Sequence, residues 1–131
     1  MEKPKNIIGV DLGGTNIRAG KVIGREITQI KSAPTPSAEA EDVVIEAIFS
    51  LIDACIDEQT QSIGVGVPSV VDVEKGIVYD VVNIPSWKEV HLKEILENKY
   101  KIPAYINNDA NCFALGEKYF GKAQAYNSVV G

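Results

Sequence analysis

Two short stretches carry residues fit for chemistry: DLGGTN, Asp11 to Asn16, and INNDAN, Ile106 to Asn111. In the first, Gly13 and Gly14 have no Cβ, so their N–H groups can come close to phosphate oxygens. Thr15 and Asn16 add side-chain donors. Asp11, at the end of an apolar run, can hold Mg²⁺ through water. The same stretch also suits a tight hairpin, because consecutive glycines supply the positive φ angles of a type I′ turn. In the second stretch, Asp109 stands where a strand passes into a helix. A carboxylate placed there can act as general base toward a hydroxyl. Asn108 beside it can both accept from and donate to neighbouring hydroxyls. The pair equally suits a helix start, with Asn108 as cap and Asp109 favoured by the helix dipole.

The elements that must position these residues follow from the hydrophobic pattern. Asn6 to Val10 is a short apolar run and reads as a first strand. Ile17 to Ile23 reads as a second, and after the Gly24-Arg25 turn signal Ile27 to Ser32 reads as a third. APTPSAEAEDV stops the sheet, with Ser37 as the expected N-cap of a helix. Val44, Ala47, Ile48, Leu51, Ile52 and Cys55 fall on one face of that helix. SIGVGVPSVVD is the fourth strand and its loop, with Gly64 and Gly66 leaving one face bare and Pro68 ending the strand. VEKGIVYD reads as a small hairpin turning at Lys75-Gly76. NIPSWKEV leads into a second helix, buried through Leu92, Ile95 and Leu96. AYIN is a fifth strand, NDANCFALGEKYFG a third helix, and YNSVVG begins a further strand.

An antiparallel meander followed by two right-handed crossovers gives an α/β domain with a five-stranded mixed sheet covered by helices. The C-terminal ends of the first, fourth and fifth strands then lie together at one edge, where ligands of open α/β sheets gather. Asp11, the loop after Val67 and Asp109 all fall on that edge. Three polar loops meeting at one edge are hard to explain as three separate turns.

The bulk properties narrow the partners. With 131 residues, 45% of them hydrophobic, the chain can bury one core but not two. A net charge of -5 gives no overall basic footprint for nucleic acid or a membrane surface. No export signal and no bilayer-spanning run is visible, so the expected location is cytoplasmic, with Cys55 and Cys112 as reduced thiols. His91 is the single histidine, and neither cysteine has a metal-ligand spacing.

DLGGTNIRAG, GVGVPSVVD, NIPSWKEVHL and INNDANCFALGE stand in the order and spacing of the ROK family of sugar kinases and sugar-responsive repressors, and the chain resembles that family over nearly its whole length. The resemblance implies the actin-like, ribonuclease-H-like fold. It makes DLGGTN a phosphate loop for ATP, with Asp11, Gly13, Gly14, Thr15 and Asn16 at the nucleotide and its Mg²⁺. It makes Asp109 the catalytic base and Asn108 and Asn83 sugar ligands. The implied reaction is ATP-dependent phosphorylation of a hexose, glucose first, with N-acetylated hexosamines, mannose and fructose open. The alternative is a non-catalytic sugar sensor. Against it stand the acidic charge and the shortness of MEKPKN, which would leave no room for a DNA-binding helix-turn-helix before the first strand.

The resemblance also places residues 1–122 in an N-terminal domain and 123–131 at the start of a C-terminal one. That second domain would carry another phosphate loop, the adenosine contacts and a histidine-cysteine zinc motif. The chain alone is therefore expected to fold without turning over substrate and to associate, with a homodimer expected. Two departures stand out. Where the family commonly has Pro-Gly, this chain has Pro68-Ser69, so Ser69 either narrows the sugar pocket or supplies a hydroxyl to it. Where a glutamate commonly precedes Asn-Asp, this chain has Asn107.

Overall fold

The computed structural model describes residues 5–24, 26–67, 69–81 and 83–108. Asp109, Cys112, Pro68, the expected third helix and the expected last strand lie outside the described residues.

Strand β1 (Asn6–Leu12) is the centre of the molecule because its sequence, NIIGVDL, can be buried along nearly its whole length. It pairs antiparallel with β2 (Asn16–Ile23), which pairs antiparallel with β3 (Glu26–Pro34). This is the expected meander. β3 ends at Pro34, two residues past the expected Ser32, and forms one edge of the sheet. On its other side β1 pairs parallel with β4 (Ser62–Gly66), and β4 pairs parallel with β8 (Ala104–Asn107). The order is β3-β2-β1-β4-β8, the expected five-stranded mixed sheet.

Between β3 and β4 runs α1 (Glu41–Cys55), which buries Val44, Ile45, Ile48, Leu51, Ile52 and Cys55 against β1, β2 and β3. Each fully buried aliphatic side chain of this kind contributes about 1.5–3 kcal/mol. Ser37 is not its cap. The N-cap is Ala40, with no side-chain capping bond, and Ser37 lies before the helix with its hydroxyl donating to the Gly14 carbonyl instead of accepting from a helix amide. A hydroxyl ahead of an acidic run can serve a helix amide or a loop carbonyl, and here the loop takes it.

The segment between β4 and β8 holds a second sheet of three short strands, β5 (Val70–Asp72), β6 (Ile77–Tyr79) and β7 (Glu89–Val90). The hairpin at Lys75-Gly76 is as expected: Gly76 has φ 66° and its N–H reaches the Asp72 carbonyl at 2.6 Å. Pairing of β7 with β6 is a long-range event with no local signal. Helix α2 (Leu92–Tyr100) then buries Leu92 and Leu96, with Ile95 partly buried. Lys101 stops it in the left-handed conformation, its N–H on the Glu97 carbonyl, and Pro103 follows before β8.

Trp87 ties the two parts together. Its ring is fully buried, and its Nε1–H donates to the carbonyl of Glu41 in the first turn of α1 at 3.3 Å. The loop that carries Asn83 is thereby anchored to the helix next to the main sheet.

Candidate active site

The register places four residues in one row across the C-terminal end of the parallel strands. Arg18 pairs with Asp11, Asp11 with Gly66, and Gly66 with Asn107. Residues paired in this way point to the same face of a sheet. Asp11 and Asn107 therefore flank Gly66, which has no side chain to fill the space between them. Two strand spacings separate their backbones, about 9–10 Å. Val67 continues the ladder by donating to the Asn107 carbonyl at 2.9 Å, and the Asn108 N–H donates to Asn107 Oδ1 at 2.7 Å. Asn108 is exposed just past this row. Asn107, noted in the sequence only as a departure from a pattern, is thus part of the same edge as Asp11.

The DLGGTN loop lies at the same end. Leu12 pairs with Ile17, and the Gly13 N–H donates to the Asn16 carbonyl at 3.0 Å. Neither Gly13 nor Gly14 has a positive φ; among the described residues only Gly24 and Gly76 do among glycines. The type I′ turn that would have explained the glycine pair is therefore not what the chain forms. Space explains it instead. A Cβ on Gly13 would lie 2.9 Å from the Asn16 carbonyl oxygen, and one on Gly14 would lie 2.4 Å from Asn83 Cβ. Both are closer than packed atoms tolerate.

That contact also settles where Asn83 lies. It is exposed, and it sits directly against Gly14, so the NIPSW segment meets the glycine loop. Ser69 is turned differently. Its hydroxyl donates to the Tyr79 carbonyl in β6, joining the loop after β4 to the second sheet. Thr15 and Asn16 are exposed at the loop tip and at the start of β2.

Far from this edge, burial pushes the Cys55 thiol above its ordinary pKa, against the weaker pull of Lys31 and Lys21. It packs as a small hydrophobe of the α1 core. No group of His, Cys, Asp and Glu side chains able to hold a metal occurs among the described residues. No helix among them is long and apolar enough to cross a membrane.

A mixed sheet of this order, with helices and a glycine loop at the ends of its parallel strands, is the actin-like ATPase fold. The ROK family model matches residues 7–131, and the chain belongs to the ROK family. Among its relatives is a glucokinase of Thermotoga maritima, 32% identical over 126 residues, 95% of this chain and 40% of that protein. A xylose repressor of Caldicellulosiruptor bescii is 34% identical over 129 residues, 89% of this chain and 31% of the repressor. Among solved structures, a ROK family glucokinase from Streptomyces griseus in complex with glucose and AMPPNP superimposes with a TM-score of 0.75 at 31% identity, over 91% of this chain and 38% of that one. The chain thus spans less than half the length of the relatives it matches. The family includes both sugar kinases and repressors, and the fold is common to both.

Proposed function

We propose that this chain is the N-terminal half of an ATP-dependent hexose kinase, with residues 1–122 forming its first domain and 123–131 leading into the second. The observation that carries the reading is the meeting of Asp11, Gly13-Gly14, Asn83 and Asn107-Asn108 at one sheet edge. On this reading DLGGTN is the phosphate loop, Asn83 a sugar-side amide and Asn108 the residue before the base, all serving one ligand pair. The relatives named glucokinase support the nucleotide and the sugar class.

Asp109 takes the proton from a sugar hydroxyl, the 6-hydroxyl of glucose in the first instance. The freed oxygen attacks the γ-phosphorus of ATP in line. The bond from that phosphorus to the β-phosphate oxygen breaks, and ADP leaves. Asn108 and Asn83 hold sugar hydroxyls. Ser69 shapes the sugar side of the pocket through the loop it fastens to Tyr79. The amides of Gly14 and Thr15, with the Asn16 side chain, receive the phosphates, while the Gly13 amide, expected from the sequence to do the same, closes the loop on the Asn16 carbonyl. Asp11 suits Mg²⁺: it is a half-buried hard oxygen donor at a strand end, beside the side-chain-free Gly66. The metal, when bound, neutralises phosphate charge. Positioning and charge stabilisation do most of the work in phosphoryl transfer, which is what glycines and dipoles supply.

The similarity to a xylose repressor favours a second reading, a sugar sensor without turnover. A coupled ADP-release assay on the full-length protein with a panel of hexoses separates them. Turnover with glucose or another hexose is expected. Sugar binding without turnover on any hexose overturns the kinase reading in favour of the sensor.

A further inference from the structure

The three consecutive carbonyls of the glycine loop are all taken by one short segment. Thr35 Oγ1 donates to the Gly13 carbonyl at 2.7 Å. Ser37 Oγ donates to the Gly14 carbonyl. The Thr35 N–H donates to the Thr15 carbonyl at 2.8 Å. Thr35 is a buried polar residue, 9% exposed, so its bonds are made away from competing water. The sequence between Pro34 and Ser37 explains why both hydroxyls reach the loop. The Ser37 N–H donates to the Thr35 carbonyl at 2.8 Å across Pro36, and this tight turn brings the two hydroxyls round to the same loop.

A trans peptide points its C=O and the following N–H in opposite directions. No cis peptide occurs among the described residues. Holding the Gly13 carbonyl toward Thr35 therefore turns the Gly14 N–H away from it. Holding the Gly14 carbonyl toward Ser37 turns the Thr15 N–H away in the same manner. The bond from the Thr35 N–H does the same for the amide of Asn16. Three successive amides are thus fixed in direction by a segment that itself lies behind the loop.

We propose that Thr35 and Ser37 are positioning residues of the nucleotide site: their hydroxyls clamp the loop carbonyls and so aim the Gly14 and Thr15 amides at the phosphates of ATP. The proposal rests on the kinase reading above. It assigns to the Thr-Pro-Ser segment a role in nucleotide affinity, not in sugar binding, because neither hydroxyl is bonded to the Asn83 loop or to the Asn107-Asn108 turn. An amide left to rotate must be ordered when the phosphate arrives, and that ordering is subtracted from binding.

The test is steady-state kinetics on the full-length protein for Thr35→Val, Thr35→Ser and Ser37→Ala. Thr35→Val keeps the shape and removes the donor. It is expected to raise the KM for ATP about tenfold, with the KM for sugar within about twofold of wild type. Thr35→Ser, which keeps the hydroxyl, is expected to restore the KM for ATP to within about threefold. Ser37→Ala is expected to move the same constant by a smaller factor. If Thr35→Val does not fold, Ser37→Ala and Thr35→Ser carry the test. An unchanged KM for ATP in all folded variants overturns the clamp and leaves the kinase reading standing. Equal rises in the two KM values, or a Thr35→Ser variant no better than Thr35→Val, overturn it as well, since they mark general loosening. A wild-type protein that neither binds MgATP nor turns over removes the kinase reading, and the proposal falls with it.

Discussion

Strand β2 has a glycine turn at each end, and the two turns need glycine for different reasons. After Ile23 the chain turns through Gly24, whose φ is 65° and whose N–H donates to the Lys5 carbonyl at 2.7 Å. There the backbone itself requires glycine. Before Asn16 the chain turns through Gly13 and Gly14 without positive φ, and what requires glycine is the closeness of Asn16 and Asn83. The first turn closes a hairpin and ends its task. The second keeps a loop thin at an edge where Asp11, Asn83 and Asn107 collect. Glycine required by φ lies at one end of β2, and glycine required by clearance lies at the end that holds the candidate site.

The largest expected effect is that of the proposed base. Asp109→Asn in the full-length protein keeps the shape of the side chain but cannot accept the proton. Turnover should fall by about two to four orders of magnitude, while sugar affinity falls only modestly. Calorimetric sugar binding beside the kinetic assay measures both. A variant with wild-type kcat would make Asp109 a helix residue without a part in the chemistry.

Next comes Gly14→Val. Its Cβ would fall on Asn83 Cβ, which is near the backbone and cannot swing aside cheaply. Affinity for both MgATP and sugar should drop, each by about tenfold or more. Loss of nucleotide affinity alone would show that Asn83 is not a sugar ligand. Circular dichroism shows whether the variant is folded.

At the Gly24 turn the effects are smaller and should leave kinetics alone. Gly24→Ala forces a side chain into the left-handed region and should cost about 1 kcal/mol of stability by urea denaturation. A shift in the KM for ATP as large as that of a loop variant would erase the distinction between the two turns.

The smallest effect concerns acid. Glu97 Oε2 accepts from the Ala104 N–H at 2.9 Å and from Lys93 Nζ at 3.0 Å, where β8 begins. The Ala104 amide is the main cause that holds its pKa below the ordinary 4.5, with Lys93 adding to it. A depressed folded pKa gives stability that is present above the unfolded value and lost as pH falls through the folded one. Wild type should therefore melt slightly above Glu97→Gln near neutral pH, and the gap should close below about pH 4.5. The side chain is 37% exposed, so solvent screening keeps the gap small. A gap that widens in acid would contradict the sign.

The main sheet was legible because each strand carries its own pattern. NIIGV, IRAGKVI and SIGVG are apolar runs bounded by turns, and their order forces β1, β4 and β8 side by side. The edge where Asp11 and the loop after β4 meet was legible for the same reason. What escaped depends on pairings distant in sequence. Glu89–Val90 is too short to signal a strand until β6 lies beside it. Ser37 reads as a cap because its neighbours are acidic, and only the fold shows Gly14 within its reach. The contact between Gly14 and Asn83, across one helix and five strands of sequence, has no local trace at all.

The central claim is that DLGGTN is a phosphate loop kept thin by glycine, unlike the turn at Gly24. Titration calorimetry of MgATP into full-length wild type, Gly14→Ala and Gly24→Ala tests it directly. Gly14→Ala should bind MgATP about tenfold or more weakly than wild type, and Gly24→Ala within about twofold of it. Equal affinity in all three, or equal loss in both variants, would contradict the claim.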